Sequence, residues 1–174
     1  EIVGIAGLVG AGRTELLETL FGVTPVVGGS LYVADEPIDI ITPHDANQEG
    51  IALAPEDRKL QGLVVEMTVR ENLSLATLRC DAKLGGFINQ SREAAISEEM
   101  IPRMGVKTPH AEQETRFLSG GNQQKIVLGK WLATKPRILL LDEPTRGIDV
   151  GAKREIYNLM ESLADDGVAI LFVS

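Results

Sequence analysis

The chain has 174 residues, enough for one domain with a substantial core, and its 44% hydrophobic but 4% aromatic content predicts a core of Leu, Ile, Val and Ala. A net charge of -8 argues against nucleic acid as a partner and leaves no polybasic patch for anionic lipid. The single Cys80 excludes an internal disulfide and fits a reducing compartment, while the two histidines, His44 and His110, lie in polar stretches and argue against a His-based metal or catalytic centre. No apolar run approaches the roughly 20 residues that span a bilayer, and no stretch reads as a signal peptide. Any membrane role is therefore expected through a partner.

Apolar strands alternate with amphipathic helices along the chain. Residues 1–6 predict a strand that runs directly into a Gly-rich stretch. Residues 13–21 predict a helix closed by Gly22. Residues 30–34 predict an edge strand that turns at Asp35-Glu36-Pro37. Thr42 supplies an N-cap, Pro43 a first helical residue and Asp45 a first-turn acid; Gly50 ends that helix before a strand at 51–54. From about 67 to 117 helix patterning replaces strands: Thr68-Val69-Arg70-Glu71 is a capping box, and Ser91-Arg92-Glu93 opens a second helix. The run ending at Asp142 predicts a central parallel strand, residues 149–166 a long helix stopped by Gly167, and residues 168–174 a last buried strand. The expected fold class is α/β, a mainly parallel sheet flanked by helices. A core of 1–66 and 118–174 is expected to carry an inserted helical subdomain at about 67–117. Because both ends fall on predicted core strands, the chain reads as a piece of a longer polypeptide.

Three motifs carry chemistry. Gly7, Leu8, Val9, Gly10, Ala11, Gly12, Arg13 and Thr14 match the phosphate-loop pattern at every fixed position but the lysine, which is Arg13 here. Glycines let backbone N–H groups converge on phosphate without Cβ clashes, and the following helix adds its positive end. Arginine keeps the charge but is longer, planar and forked, so binding is expected to weaken and γ-phosphate alignment to suffer more. At the strand end, Asp142 is expected to hold Mg2+ through water, together with the Thr14 hydroxyl. Glu143 is expected to polarise the attacking water as a general base. In Leu118 to Lys125, Ser119 reads as the N-cap of a helix whose free amides, with Gly120, Gly121 and Asn122, form a second anion site. One phosphate loop needs no second such turn, so this one is expected to serve a nucleotide held by another subunit or domain. Each motif also has a bland reading: a glycine turn, a strand ending in solvated acids, a plain helix start.

The runs Gly10 to Leu16, Glu56-Asp57-Arg58-Lys59, Leu118 to Lys125 and Asp142 to Gly151 together resemble the ATP-binding-cassette ATPases, which are P-loop NTPases. The resemblance is narrower still to the second, C-terminal nucleotide-binding half of bacterial monosaccharide importers of the ribose, galactoside and xylose type. It implies ATP and Mg2+ as ligands. Glu56 stands where the family usually has a metal-touching glutamine, Asn122 where the signature usually has glutamine, and Asp149 at the aspartate that communicates across the dimer. It implies a head-to-tail pairing with a second nucleotide-binding half, membrane permease subunits, and indirectly a periplasmic sugar-binding protein. The location implied is the cytoplasmic face of the inner membrane. The family's switch histidine would follow Ser174, and its adenine-stacking aromatic would precede Glu1. The expected function is ATP hydrolysis that energises sugar uptake. The alternative is a non-hydrolysing regulatory half whose signature turn completes the partner's site.

Overall fold

The computed structural model describes residues 1–8, 10–82 and 86–174. Four parallel strands form the main sheet in the order β1 (Ile2–Ile5), β6 (Ala169–Val173), β5 (Ile138–Asp142), β4 (Ile51–Ala54). The apolar run Ile138 to Leu141 is consequently covered on both edges, pairing Leu140 with Leu53 on one side and Leu171 on the other. Leu139, Leu140 and Leu141 are all at most 2% exposed. Burying each contributes about 1.5–3 kcal/mol. At the β1 edge, Ile2 and Val3 are 37% and 46% exposed, so this strand is less buried than its apolar sequence suggests. Gly4 makes room there for the Phe172 ring, which a Cβ would meet at 2.8 Å.

Side chains alternate across β5, and the two faces have different cover. Leu140 packs with Leu53, Val173 and Leu17 of α1 (Arg13–Leu20), and with Ala46 of α2 (Pro43–Gln48). Leu139 and Leu141 pack with Ile126, Val127 and Leu128 of α6 (Gly120–Leu132), and with Ile156, Met160 and Leu163 of α7 (Val150–Asp165). The same cluster reaches Val69 and Leu73 of α3 (Val69–Ser74) and Ile96 and Met100 of α5 (Gln90–Arg103). A short helix, α4 (Leu78–Asp81), precedes α5.

The local signals are met in detail. Thr42 and Asp45 cap α2 reciprocally, and Thr68 and Glu71 do the same for α3. Gly22, Gly50 and Gly167 all take positive φ directly after a helix, as helix-stopping glycines do. One turn is corrected. The strand predicted at 30–34 is β2 (Leu31–Val33), and it pairs antiparallel with β3 (Glu36–Ile38) in a separate two-stranded sheet. The turn therefore falls on Ala34-Asp35, both at positive φ (53° and 66°), and Glu36 and Pro37 belong to the returning strand. Two left-handed residues give a turn twisted to match a tight hairpin, and Pro37 is tolerated because its strand is an edge.

Candidate functional site

The phosphate loop leaves β1 and enters α1 through two left-handed glycines, Gly10 and Gly12, each at φ 82°. A Cβ built on either meets nothing within 4 Å, so the loop faces open space rather than packed protein. Gly12 is the N-cap of α1 and gives the first turn no side-chain cap, which leaves its amides free toward that space. Gly10, Ala11, Gly12, Arg13, Thr14 and Glu15 line a cleft of ≈ 410 Å³, closed on the far side by Glu56, Glu143 and Arg146. Leu8 is 84% exposed and does not line the cleft. Val9 lies outside the described residues.

Arg13 lies along the wall of the cleft. Its side chain folds back over Gly7, where a Cβ would meet its Cδ at 3.2 Å, and its Nη2 donates to Glu143 Oε1 at 3.3 Å. Nη1 of the same guanidinium is buried without a partner. Glu143 sits at φ 44°, a left-handed backbone that swings its carboxylate out of the strand direction and toward the loop. Its N–H still donates to Val173 O, which pins the residue to the sheet.

Asp142 is 3% exposed, and its Oδ1 has no hydrogen-bond partner. Burial pushes its carboxyl above the usual range, the Thr14 hydroxyl pulls it back, and the Glu143 and Glu18 charges push it up again. Thr14 and Asp142 are thus neighbours in the fold. Glu56, from the loop after β4, forms an ion pair with Arg146 across the cleft.

The signature turn stands at a different concavity, of ≈ 280 Å³, lined by Ser119, Gly121, Asn122, Asp149 and Gly151, with Lys107, Ala152 and Glu155. Ser119 caps α6, accepting from Asn122 N at 3.4 Å and from Asn122 Nδ2 at 3.0 Å. Asn122 Oδ1 accepts from Lys107 N at 2.8 Å, so this amide serves to brace the turn. Asp149 caps α7 by accepting from Ala152 N at 2.9 Å. The absence of a Cβ at Gly121 is what lets α6 approach α7, since a Cβ there would lie 2.6 Å from that of Ala152. Gly120 faces elsewhere, under the Arg58 guanidinium.

The family model described as ABC transporter matches residues 1–146, which include the phosphate loop, the turn at Ser119 to Asn122 and the Asp142-Glu143 pair. The chain belongs to the ABC transporter family. Among its curated relatives are a ribose import ATP-binding protein of Shouchella clausii, 48% identical, and an arabinose import ATP-binding protein of Pectobacterium atrosepticum, 47% identical. All of this chain is covered in both comparisons, but only 35% and 34% of those relatives, so it spans about a third of their length. A solved nucleotide-free ATP-binding cassette superposes with a TM-score of 0.86, covering 100% of this chain and 70% of the other at 21% identity. That likeness shows that the two share a fold.

Sequence reasoning missed Arg58 and Arg146 as parts of the site. Each was visible only as a member of a longer run, and nothing in a single sequence marks Arg146 as facing the cleft or Arg58 as lining the concavity beside it with Glu56, Arg146 and Gly147.

Proposed function

We propose that this chain is an ATP-binding and hydrolysing half-domain of an ABC importer, which energises uptake of a monosaccharide from the cytoplasmic face of the inner membrane. On this reading it pairs with a second nucleotide-binding half and with permease subunits, and it corresponds to the C-terminal half. The division into a core (1–66 and 118–174) and a helical subdomain (about 67–117) belongs to the same reading. The observation that carries it is the pair Asp142 and Glu143 at the end of β5, the first buried with an orphaned oxygen, the second lining the phosphate-loop cleft and bonded to Arg13. The named relatives import ribose and arabinose, which supports a monosaccharide as the class of cargo.

The donor set suits Mg2+. A buried carboxylate oxygen without a partner and a threonine hydroxyl beside it are hard oxygen ligands, so Asp142 and Thr14 would hold the ion. Once bound, it supplies neutralisation of phosphate charge. The loop amides of Gly10 to Thr14 bind phosphate oxygens, and the unpartnered Arg13 Nη1 offers them a further donor. Glu143 then holds the proton of the attacking water at a carboxylate oxygen. Its Oε1 accepts from Arg13 Nη2, so phosphate and Glu143 compete for one guanidinium.

That ion pair also gives the regulatory reading its one specific support, since a base neutralised by its neighbour turns over slowly. The Glu143→Gln variant of the intact importer separates the two. The hydrolysing reading expects ATPase to fall by about 10²-fold or more at this site with nucleotide binding retained. An unchanged overall rate would assign all turnover to the partner half.

A further inference from the structure

Arg58 touches two segments that lie far from it, and from each other, in sequence. Its Nη1 donates to Arg146 O at 3.0 Å and its Nη2 to Gly147 O at 3.3 Å. Its Nε donates to Gln123 Oε1 at 3.5 Å, in the first turn of α6. Gln123 is only 3% exposed and is held in turn by donating from Nε2 to Thr115 O at 3.0 Å. The guanidinium lies against Gly120 so closely that a Cβ there would sit 2.6 Å from Nη2.

The base of the side chain is equally fixed. Arg58 opens a short π-helical turn (Arg58–Gly62) capped by Asp57, whose carboxylate accepts from Lys59 N and Leu60 N at 2.9 and 3.0 Å. Gly62, at the other end of that turn, abuts Val127 of α6. Among the described residues no carboxylate pairs with Arg58, and all of its acceptors are neutral. Its role is therefore geometric. A planar fork reaches two successive carbonyls at once, which a lysine's single ammonium cannot do.

We propose that Arg58 is a positioning residue that locks the signature turn (Ser119 to Asn122) to the Arg146–Gly147 segment leading to Asp149. The loop bearing Glu56 sits two residues from Arg58, so the clamp makes that loop, the turn and Asp149 one mechanical unit. This rests on the reading that the turn completes a partner's nucleotide site. Glu56 meets its own nucleotide through the cleft, and a displacement there is passed to the turn through one guanidinium.

The test uses the assembled importer. Arg58→Ala is expected to lower kcat for ATP at least tenfold while KM changes less than about threefold, because the turn is misplaced but the phosphate loop is untouched. Arg58→Lys should fall between, and millimolar guanidinium ion should restore part of the Arg58→Ala rate. In a double-mutant cycle, Gly120→Ala should be costly beside Arg58 and nearly free in the Arg58→Ala background. If Arg58→Ala does not assemble, Arg58→Gln carries the same comparison. Additive effects in the cycle, or a rate loss without guanidinium rescue and in step with lost thermal stability, would overturn the clamp. Ser119→Arg is the control for the underlying reading. If it cuts the rate while Arg58→Ala does not, the turn matters and the clamp is wrong; if neither cuts it, both ideas fall.

Discussion

At position 13 the sequence change is legible and its consequence is not. Replacing the loop lysine by arginine plainly keeps the charge, but only the fold shows the side chain lying over Gly7 and ending on Glu143. A sequence gives no torsion for Glu143, and its left-handed backbone is what closes that 3.3 Å contact. A second cation, Lys130, carries no mark in the sequence of the burial it has in the fold. It is 8% exposed on α6, with Nζ donating to Gly62 O at 2.6 Å and lying 5.0 Å from the Trp131 ring centroid. Burial pulls its pKa down from 10.5 to about 8. Below pH 8 both folded and unfolded chains carry this proton, and the fold bears the full desolvation cost. Between about 8 and 10.5 the unfolded chain holds more of it, so stability rises with pH; the full swing is about 3 kcal/mol. Lys130→Met should therefore be more stable than the wild type at pH 7, by about 1–2 kcal/mol after the loss of the Gly62 hydrogen bond. The gap should close on the way to pH 10 and reverse there, where the wild type has regained most of the swing and keeps the Gly62 hydrogen bond. Urea midpoints measured from pH 7 to 10 check this, and a constant difference across that range would refute the buried-charge account.

Elements announced by local chemistry were readable, and elements set by distant contacts were not. The Thr42 N-cap, the Thr68 capping box, the Ser119 cap and the glycine stops depend on residues a few positions apart. The β2–β3 hairpin was misread because its left-handed pair is Ala34-Asp35, without the Asn-Gly signal such turns usually carry. The π-helical turn at Arg58 has no sequence signature either. The start of α3 shows how far beyond capping such an element can reach. Asn72 is fully buried; its Oδ1 accepts from Val64 N at 2.9 Å, and its Nδ2 donates to Val64 O at 2.9 Å and to Thr68 O at 3.0 Å. One amide thus ties α3 to the segment before it, beside the place where Thr68 and Glu114 bridge. Asn72→Ala strands a buried N–H and carbonyls together, and should cost about 3 kcal/mol. Asn72→Asp should cost at least as much, because it removes the donor and buries a charge. Chemical denaturation of the two variants checks the order, and a loss under 1 kcal/mol in both would mean that the network is not what holds α3.

Across the whole molecule, the sheet separates two kinds of support. Leu140 faces the cluster that carries α1 behind the phosphate loop, whereas Leu141, the next residue, faces the cluster that carries α6 and α7 behind the signature turn and Asp149. The alternation itself was readable from a strand in an α/β pattern, but the assignment of helix to face was not, because it depends on which strands neighbour β5. Leu140→Ala and Leu141→Ala remove similar volume from sites 2% and 0% exposed, so each should cost about 2–5 kcal/mol. Their local effects should nevertheless differ. Native-state hydrogen exchange should show α1 and α2 losing protection in Leu140→Ala, and α6 and α7 losing it in Leu141→Ala. Trp131 spans the divide, packing against both clusters and meeting Phe21 edge-on at 5.5 Å between ring centroids. A third variant, Trp131→Ala, should therefore deprotect both sets of helices at once. Identical exchange patterns in the two leucine variants would mean that the chain opens as a single unit. The cleft and the turn would then share one stability rather than being held by opposite faces of the same strand.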